Sequence, residues 1–572
     1  MDVVIQFLHR VLLDVGPFCL MLGLLIFVHE LGHYLVAVLS GVRVETFSLG
    51  FGRKIFSFKR GPTTYKIAII PLGGYVKMYG DDPSAEIPEA ERRYAFLKKP
   101  LLPRTAIVLA GPLMNLIFAV LLFMAVGMIG QEVPGTQLGD IAPQTMAYAA
   151  GFRSGDQIKN INGSPVFKWQ DVKNDIESHP GKQLRFEVKG AHDGSTRMVL
   201  ATPKLEKNGF LFSFKNRIGK INGLTTNSDS TTIGVANPNS IAAKAGLHTF
   251  DIIEKIDGKS VMFWRDLGPL LLKTAPGHKV WNLTVQPYNG QSVNSSPTEG
   301  SSSAKLMTIK LKIPSALSAQ PTKLLKQLGI DRSDMFLLAV KRGSPAAKAG
   351  LKVGDKMVAI NHLELQKWQQ VLEDVKSFRP QDKTMAFTIL RNGKLMQFNI
   401  TPMLVSLPTG QGTTAKRYAV GVLPAVIYIT GNGYLEKYKN PVRAFVFGVK
   451  SAYHWTKIIA ISFLRLVQDK VSARNLGSVI SIGRIATRSY EAGLTAFLRM
   501  MSIISIDLFL LNLLPVPVLD GGHLLFFAIE AVKGAPLSLR KMEIAQQVGL
   551  VLLLSLMIFA LFNDISHLMS SW

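Results

Sequence analysis

The pentapeptide His29-Glu30-Leu31-Gly32-His33 lies inside an apolar run that begins near Val11 and continues as LLIFVHELGHYLVAVLS to Ser40. A helix needs about 20 apolar residues to cross a bilayer, so this run predicts a membrane helix. Ionisable side chains inside such a helix are expensive and are retained for a purpose. Residues four apart share one helix face, so His29 and His33 can present two imidazoles to a single point. Glu30 stands beside them, where a carboxylate can take a proton from water. Two histidines and a glutamate in this order are the ligand pair and general base of a zinc hydrolase. The pentapeptide alone is a weak signal, because HExxH also arises by chance in soluble helices. Its apolar setting is what gives it weight.

Three further stretches have membrane length: Thr105 to Ile129 without a charge, Ala496 to Val518 with one acid, Asp507, and Ile544 to Phe562. A chain of 572 residues with 48% hydrophobic residues has room for these and for several domains besides. The net charge of +26 does not point to nucleic acid, because the basic residues are spread along the chain without a zinc-finger or aromatic-basic signature. Twelve Lys and Arg residues between Gly41 and Arg104 place that connection in the cytoplasm by the positive-inside rule. Residues from about 130 to 430 then lie on the far side. The one cysteine, Cys19, excludes an intramolecular disulfide, so an outer domain must rely on its own core. Asn440 to Val471 is apolar but carries Arg443, Lys450, Lys457 and Arg465, which suits an interfacial amphipathic helix better than a fifth span.

The outer region contains an internal repeat. Gly151, Gly246 and Gly350 each precede an aspartate by five residues (Asp156, Asp251, Asp355) and a tryptophan by eighteen (Trp169, Trp264, Trp368). A strand–turn–strand pattern follows each copy; in the second, the turn is swollen by NGQSVNSSPTEGSSSA. The repeat resembles the PDZ domains of bacterial envelope proteases. That resemblance implies either peptide ligands held at a sheet edge or rigid modules that act as a spacer or size filter. No clear carboxylate-binding loop is visible in any copy.

A catalytic zinc needs a third protein ligand and one open position. The segment from Asn512 to His523, NLLPVPVLDGGH, offers Asp520 and His523 at the cytoplasmic end of the third span, the depth at which the first span carries HELGH. Pro515 and Pro517 break helix geometry there and free backbone groups. Taken together, HELGH, GPLMN from Gly111, the three repeats and NLLPVPVLDGGH resemble the site-2 protease family of intramembrane metalloproteases, peptidase family M50. The resemblance covers nearly the whole chain. It implies one Zn2+ held by His29, His33 and Asp520, with Glu30 as general base and Asn512 polarising the scissile carbonyl. It further implies a membrane-associated β-hairpin in TTYKIAIIPLGGYVKMYG from Thr63, where Gly73, Gly74, Tyr75 and Val76, with Pro515 and Pro517, meet an unwound substrate.

The expected architecture is a polytopic α-helical membrane protein with four transmembrane helices, a membrane-associated β-hairpin and three extracytoplasmic PDZ-like α+β domains. Its parts are the first helix (1–40), the cytoplasmic loop with the hairpin (41–104) and the second helix (105–129). The PDZ-like modules follow at 130–225, 226–320 and 321–405, then the interfacial helix (430–475) and two C-terminal membrane helices (476–572). The resemblance implies a multi-pass protein of the bacterial inner membrane, with periplasmic modules and an active site near the cytoplasmic side. Its substrates would be single-pass membrane proteins already trimmed by an upstream protease. Two features depart from the family pattern: three repeats where two are usual, and Asp507 where an Asn is common. A PDZ-bearing receptor without catalysis, or a transporter using the intramembrane acids, are the rival classes; neither needs a zinc ion.

Overall fold

The computed structural model describes residues 2–82, 86–191, 193–210, 212–288, 306–365, 367–408, 414–471, 473 and 477–571. They form two compact units: Met1–Glu132, Phe210–Phe214 and Leu435–Trp572 in one, Val133–Gly209 and Lys215–Tyr434 in the other.

The first unit holds the helices. In chain order these are α1 (Asp2–Leu39), α2 (Leu101–Ile129), α3 (Pro441–Val467), α4 (Val479–Glu491), α5 (Leu494–Asn512), α6 (Asp520–Lys533) and α7 (Leu539–Ser571). Four stretches among them are long and apolar enough to cross a membrane: Val15–Leu39, Leu101–Ile129, Leu494–Asn512 and Leu539–Ser566. Helices that cannot rely on a hydrophobic drive associate through small residues that let their backbones approach. Here Gly32 of α1 does so: a Cβ at that position would stand 2.9 Å from Met114 Cβ and would overlap the carbonyl oxygen of Ala110. At the neighbouring crossing, Ser505 of α5 donates to the backbone carbonyl of Asn115 on α2 at 2.8 Å.

The C-terminal region differs from the expected pair of helices. The third span ends at Asn512 rather than Val518, because Pro515 and Pro517 stop the helix, and α6 restarts at Asp520. The segment expected as one helix over 430–475 is helical only over Pro441–Val467, preceded by short strands at Tyr428–Thr430 and Gly433–Glu436. That helix is amphipathic. Ala444, Gly448 and Ala452 are buried, and Gly448 lies against Val120 and Met124 of α2, while Arg443, Lys450 and Lys457 stay exposed.

Between α1 and α2, strand β1 (Val44–Arg60) pairs antiparallel with β2 (Thr63–Met78). The pairing runs from Val44↔Met78 to Leu49↔Gly74 and from Lys54↔Ala68 to Arg60↔Thr63, with irregularities between. The turn is at Gly61-Pro62, where Gly61 takes a left-handed φ of 61°. Gly73 and Gly74 therefore lie within a strand and do not form the hairpin turn. Val44 and Met78 root the base of the hairpin in a cluster with Ala37 and Ile107, whereas its far arm exposes Ile55, Phe56, Phe58 and Ile69.

The second unit repeats one plan three times. Each module has a four-stranded sheet built in the same order, with central strands Gln157–Ile161, Ile252–Ile256 and Lys356–Ile360, and a helix beginning at Trp169, Trp264 or Trp368. The repeat residues have visible roles. Gly151, Gly246 and Gly350 sit at φ of 105°, 97° and 97°, where a side chain is strained. Asp156, Asp251 and Asp355 are buried and accept from the backbone N–H of Arg153, His248 and Lys352 at 2.7, 2.8 and 2.7 Å. Each aspartate thus ties its own turn.

Two module boundaries move. The expected bound at residue 321 falls at the start of helix Pro321–Leu328, whose Leu324, Leu325 and Leu328 are buried in the core of the second module with Leu267, Leu271 and Trp281. The third core extends past residue 405 to Val420, packed with Phe387 and Ile389. An amphipathic helix belongs to whichever core takes its apolar stripe, and the stripe alone does not name it. Leu328→Ala should cost about 2–5 kcal/mol. Hydrogen exchange of the full chain should quicken over residues 252–286 and 307–312 and stay unchanged over 356–400; the reverse pattern would return this helix to the third module.

Candidate metal centre

His29 and His33 lie one helical turn apart on α1, and their Nε2 atoms are 3.2 Å from each other. Asp520, the first residue of α6, places Oδ2 3.2 Å from His29 Nε2 and 3.5 Å from His33 Nε2. All three ligand atoms fall within 4.8 Å of one another. His33 Nδ1 meets the backbone carbonyl of Ile107 at 2.8 Å. A carbonyl only accepts, so the His33 proton is on Nδ1 and its Nε2 lone pair points to the common centre. Asp520 Oδ2 is buried with no hydrogen-bond partner of good geometry. Lone pairs converging on a buried point repel one another unless a cation lies between them, so this donor set fits a divalent metal.

Glycines make the convergence possible. A Cβ on Gly111 of α2 would overlap the ring of His33, its Cδ2 standing at 2.8 Å. Beyond α5, the chain turns at Leu513–Leu519 and folds onto the start of α6, where side chains on Gly521 and Gly522 would collide with the backbone of Leu514 and Val516. The placement of α6 is fixed further by Arg104 of α2. Its guanidinium makes a paired bond to Glu530 (2.5 and 3.2 Å), donates to the carbonyl of Lys99 and lies over the ring of Phe527. Both partners are largely buried, which strengthens the pair and makes either alone costly.

The other expected residues fall as follows. Glu30 is buried beside the ligands, and Gly74 of β2 lies directly against it: a Cβ there would be 2.9 Å from Glu30 Cγ and 3.0 Å from Ile26 Cγ2. Gly73, Tyr75 and Val76 continue the same strand, and Tyr75 stacks on Phe51. Pro515 and Pro517 form the turn that delivers Asp520. Asn512 ends α5 and, among the described residues, makes no hydrogen bond to the three converging side chains. His523 sits one turn beyond Asp520 with its ring near Phe526, outside the three-residue cluster. Asp507 faces no cation within ion-pair distance among the described residues. Three contributors went unassigned from sequence: Gly111 and Asn115, both in the noted GPLMN motif, and the Arg104–Glu530 pair, whose members lie 426 residues apart.

Two histidines at helical spacing, a neighbouring glutamate and a distant aspartate inside a bundle of membrane-length helices define a membrane metalloprotease. The profile of peptidase family M50 matches residues 17–556. The regulator of sigma-E protease RseP of Escherichia coli K12 is 31% identical over 559 residues, covering 97% of this chain and 99% of its own. Protease RseP of Yersinia pestis is 30% identical over 98% of this chain and 99% of its own. A Neisseria meningitidis serogroup A protein named as a zinc metalloprotease is 31% identical over 96% and 97%. The chain belongs to peptidase family M50.

Gly111→Ala should displace the His33 ring and lower zinc retention at least tenfold. Gly23→Ala, on α1 where nothing stands within 4 Å, is the control for added helix propensity and should keep its zinc. Equal retention by the two variants, measured by metal analysis of purified protein, would show that Gly111 does not shape the site.

Proposed function

We propose that the protein is a zinc-dependent endoprotease that cuts within the transmembrane segments of single-pass membrane proteins. The observation that carries this reading is the convergence of His29, His33 and the unsatisfied Asp520 Oδ2, with Glu30 beside them, among membrane-length helices. His29, His33 and Asp520 would hold one Zn2+ and leave a fourth position open. Bound there, zinc supplies Lewis acidity toward a carbonyl and lowers the pKa of water.

Glu30 takes the proton of the attacking water and returns it to the leaving amine. Asn512, at the end of α5, donates to the oxygen of the scissile carbonyl as charge develops on it. A substrate helix has its amides bonded internally, so it must unwind before attack. Strand β2 offers the replacement bonds. From Gly74 to Met78 it pairs on one side with Val44–Leu49 and, among the described residues, with no other strand. Its contact with Glu30 at Gly74 supports substrate lying extended along Gly73–Val76, and the family resemblance adds Pro515 and Pro517 to the substrate-binding residues. The exposed Ile55, Phe56, Phe58 and Ile69 favour a hairpin that sits in lipid.

The basic connection between α1 and α2 argues that the site opens near the cytoplasmic side of a bacterial inner membrane, with the three modules in the periplasm. Their repeated fold favours PDZ-like domains that bind peptides or exclude untrimmed substrates. A relative named as a regulator of sigma-E protease favours substrates of the anti-sigma-factor kind, and the family resemblance favours ones already shortened by an upstream protease.

Glu30→Gln should keep zinc and lose cleavage of a model single-pass substrate by at least a hundredfold, since only proton transfer is removed. Turnover equal to wild type would sink the mechanism.

The strand role has its own test. A proline removes a backbone donor, whereas alanine keeps it. Tyr75→Pro or Val76→Pro should abolish cleavage with zinc retained, while the alanine variant at that position keeps most activity. Helix-weakening Gly or Pro in the substrate should partly rescue the defect. Full tolerance of proline at both positions would rule out edge pairing there.

A further inference from the structure

Asn115 is fully buried on α2, and its side-chain amide stands 3.4 Å from His29 Nδ1. The other end of the amide, Oδ1, has no hydrogen-bond partner. Its backbone is held in turn, because Ser505, itself fully buried on α5, donates to the Asn115 carbonyl. A polar side chain this deep is costly unless it serves a partner, and the ring of His29 is the partner within reach.

We propose that Asn115 is the positioning residue of His29, accepting its Nδ1–H through Oδ1 so that the Nε2 lone pair faces the metal position. The inference rests on the ligand reading above. A neutral imidazole carries one proton; if Nε2 ligates, that proton is on Nδ1 and requires an acceptor. The two ends of an amide are nearly equal in size, so a half-turn about χ2 brings Oδ1 to His29 without moving another atom. The same turn removes the donor that would otherwise oppose the Nδ1–H.

His33 gives the comparison. Its Nδ1–H is received by the main-chain oxygen of Ile107, eight residues before Asn115 on the same helix. Helix α2 thus orients both rings, one through its backbone and one through a side chain. Only the second can be altered by substitution.

The test is zinc affinity of the purified full chain, measured by chelator competition, with the thermal midpoint of the zinc-free protein as a folding control. Asn115→Ala should weaken zinc by about 10- to 100-fold, the range for lost partners of ligating histidines. Asn115→Asp keeps an acceptor and should stay within about threefold of wild type, since carboxylates serve metal-bound histidines well. Equal loss in both variants, or none in Asn115→Ala, would overturn the proposal. Should the variants fold poorly, wild-type protein decides. Nitrogen NMR of histidine-labelled, zinc-loaded protein should show His29 metallated at Nε2 with a hydrogen-bonded Nδ1–H; Nδ1 metallation or a free Nδ1–H would reject it. His29→Ala, His33→Ala and Asp520→Ala keep the two readings apart. If these retain zinc, the ligand set itself is wrong; if they lose it while Asn115→Ala does not, only the role of Asn115 falls.

Discussion

The close approach of α1 and α2 is the constraint on which the site depends. With Gly32 against the Ala110 carbonyl and Gly111 beneath the His33 ring, the two helices meet at backbone distance. Only at that distance can His33 reach the Ile107 carbonyl and His29 the Asn115 amide. A polar cluster inside an apolar bundle is costly where a member lacks a partner; here α2 meets both imidazole rings, and Asp520 Oδ2 is left unpaired on the other side, as a donor set for a divalent cation would be. A side chain on Gly111 would occupy the space of the His33 ring, and one on Gly32 would push the two backbones apart.

Much of this was legible in the chain. Long apolar runs with few charges gave the four membrane-length helices, because hydrocarbon filters composition severely. The i, i+4 histidines gave one face of the site, and the fixed offsets of Gly, Asp and Trp gave three modules with one topology. What stayed hidden depends on tertiary contact. Arg104 reads only as one of the basic loop residues and Glu530 carries no motif of its own, so only the fold pairs them. Helix Pro321–Leu328 carries an apolar stripe that either neighbouring module could have claimed. Helices α4 and α6 are short and mixed in composition, so no run of membrane length announced them.

The modules show one sequence position solved in different ways. Asp156 and Asp355 add an arginine, Arg197 and Arg391, to the backbone donor each already has. Asp251 instead takes a second backbone donor, from Tyr288 at 3.0 Å. The turn is preserved because the buried carboxylate must be satisfied, and the identity of the second donor is free to vary.

The order of the site along the chain has a consequence for biogenesis. His33 and Asp520 are separated by 487 residues (520 − 33), so a ribosome has translated about nine-tenths of the chain before the third side chain of the centre exists. Until α6 inserts and Glu530 meets Arg104, the nascent chain carries two histidines and a glutamate but no closed centre. The three modules are made and can fold in that interval. The candidate centre is therefore completed late, after the three modules have been made, and a chain that stops before Asp520 lacks its third candidate ligand.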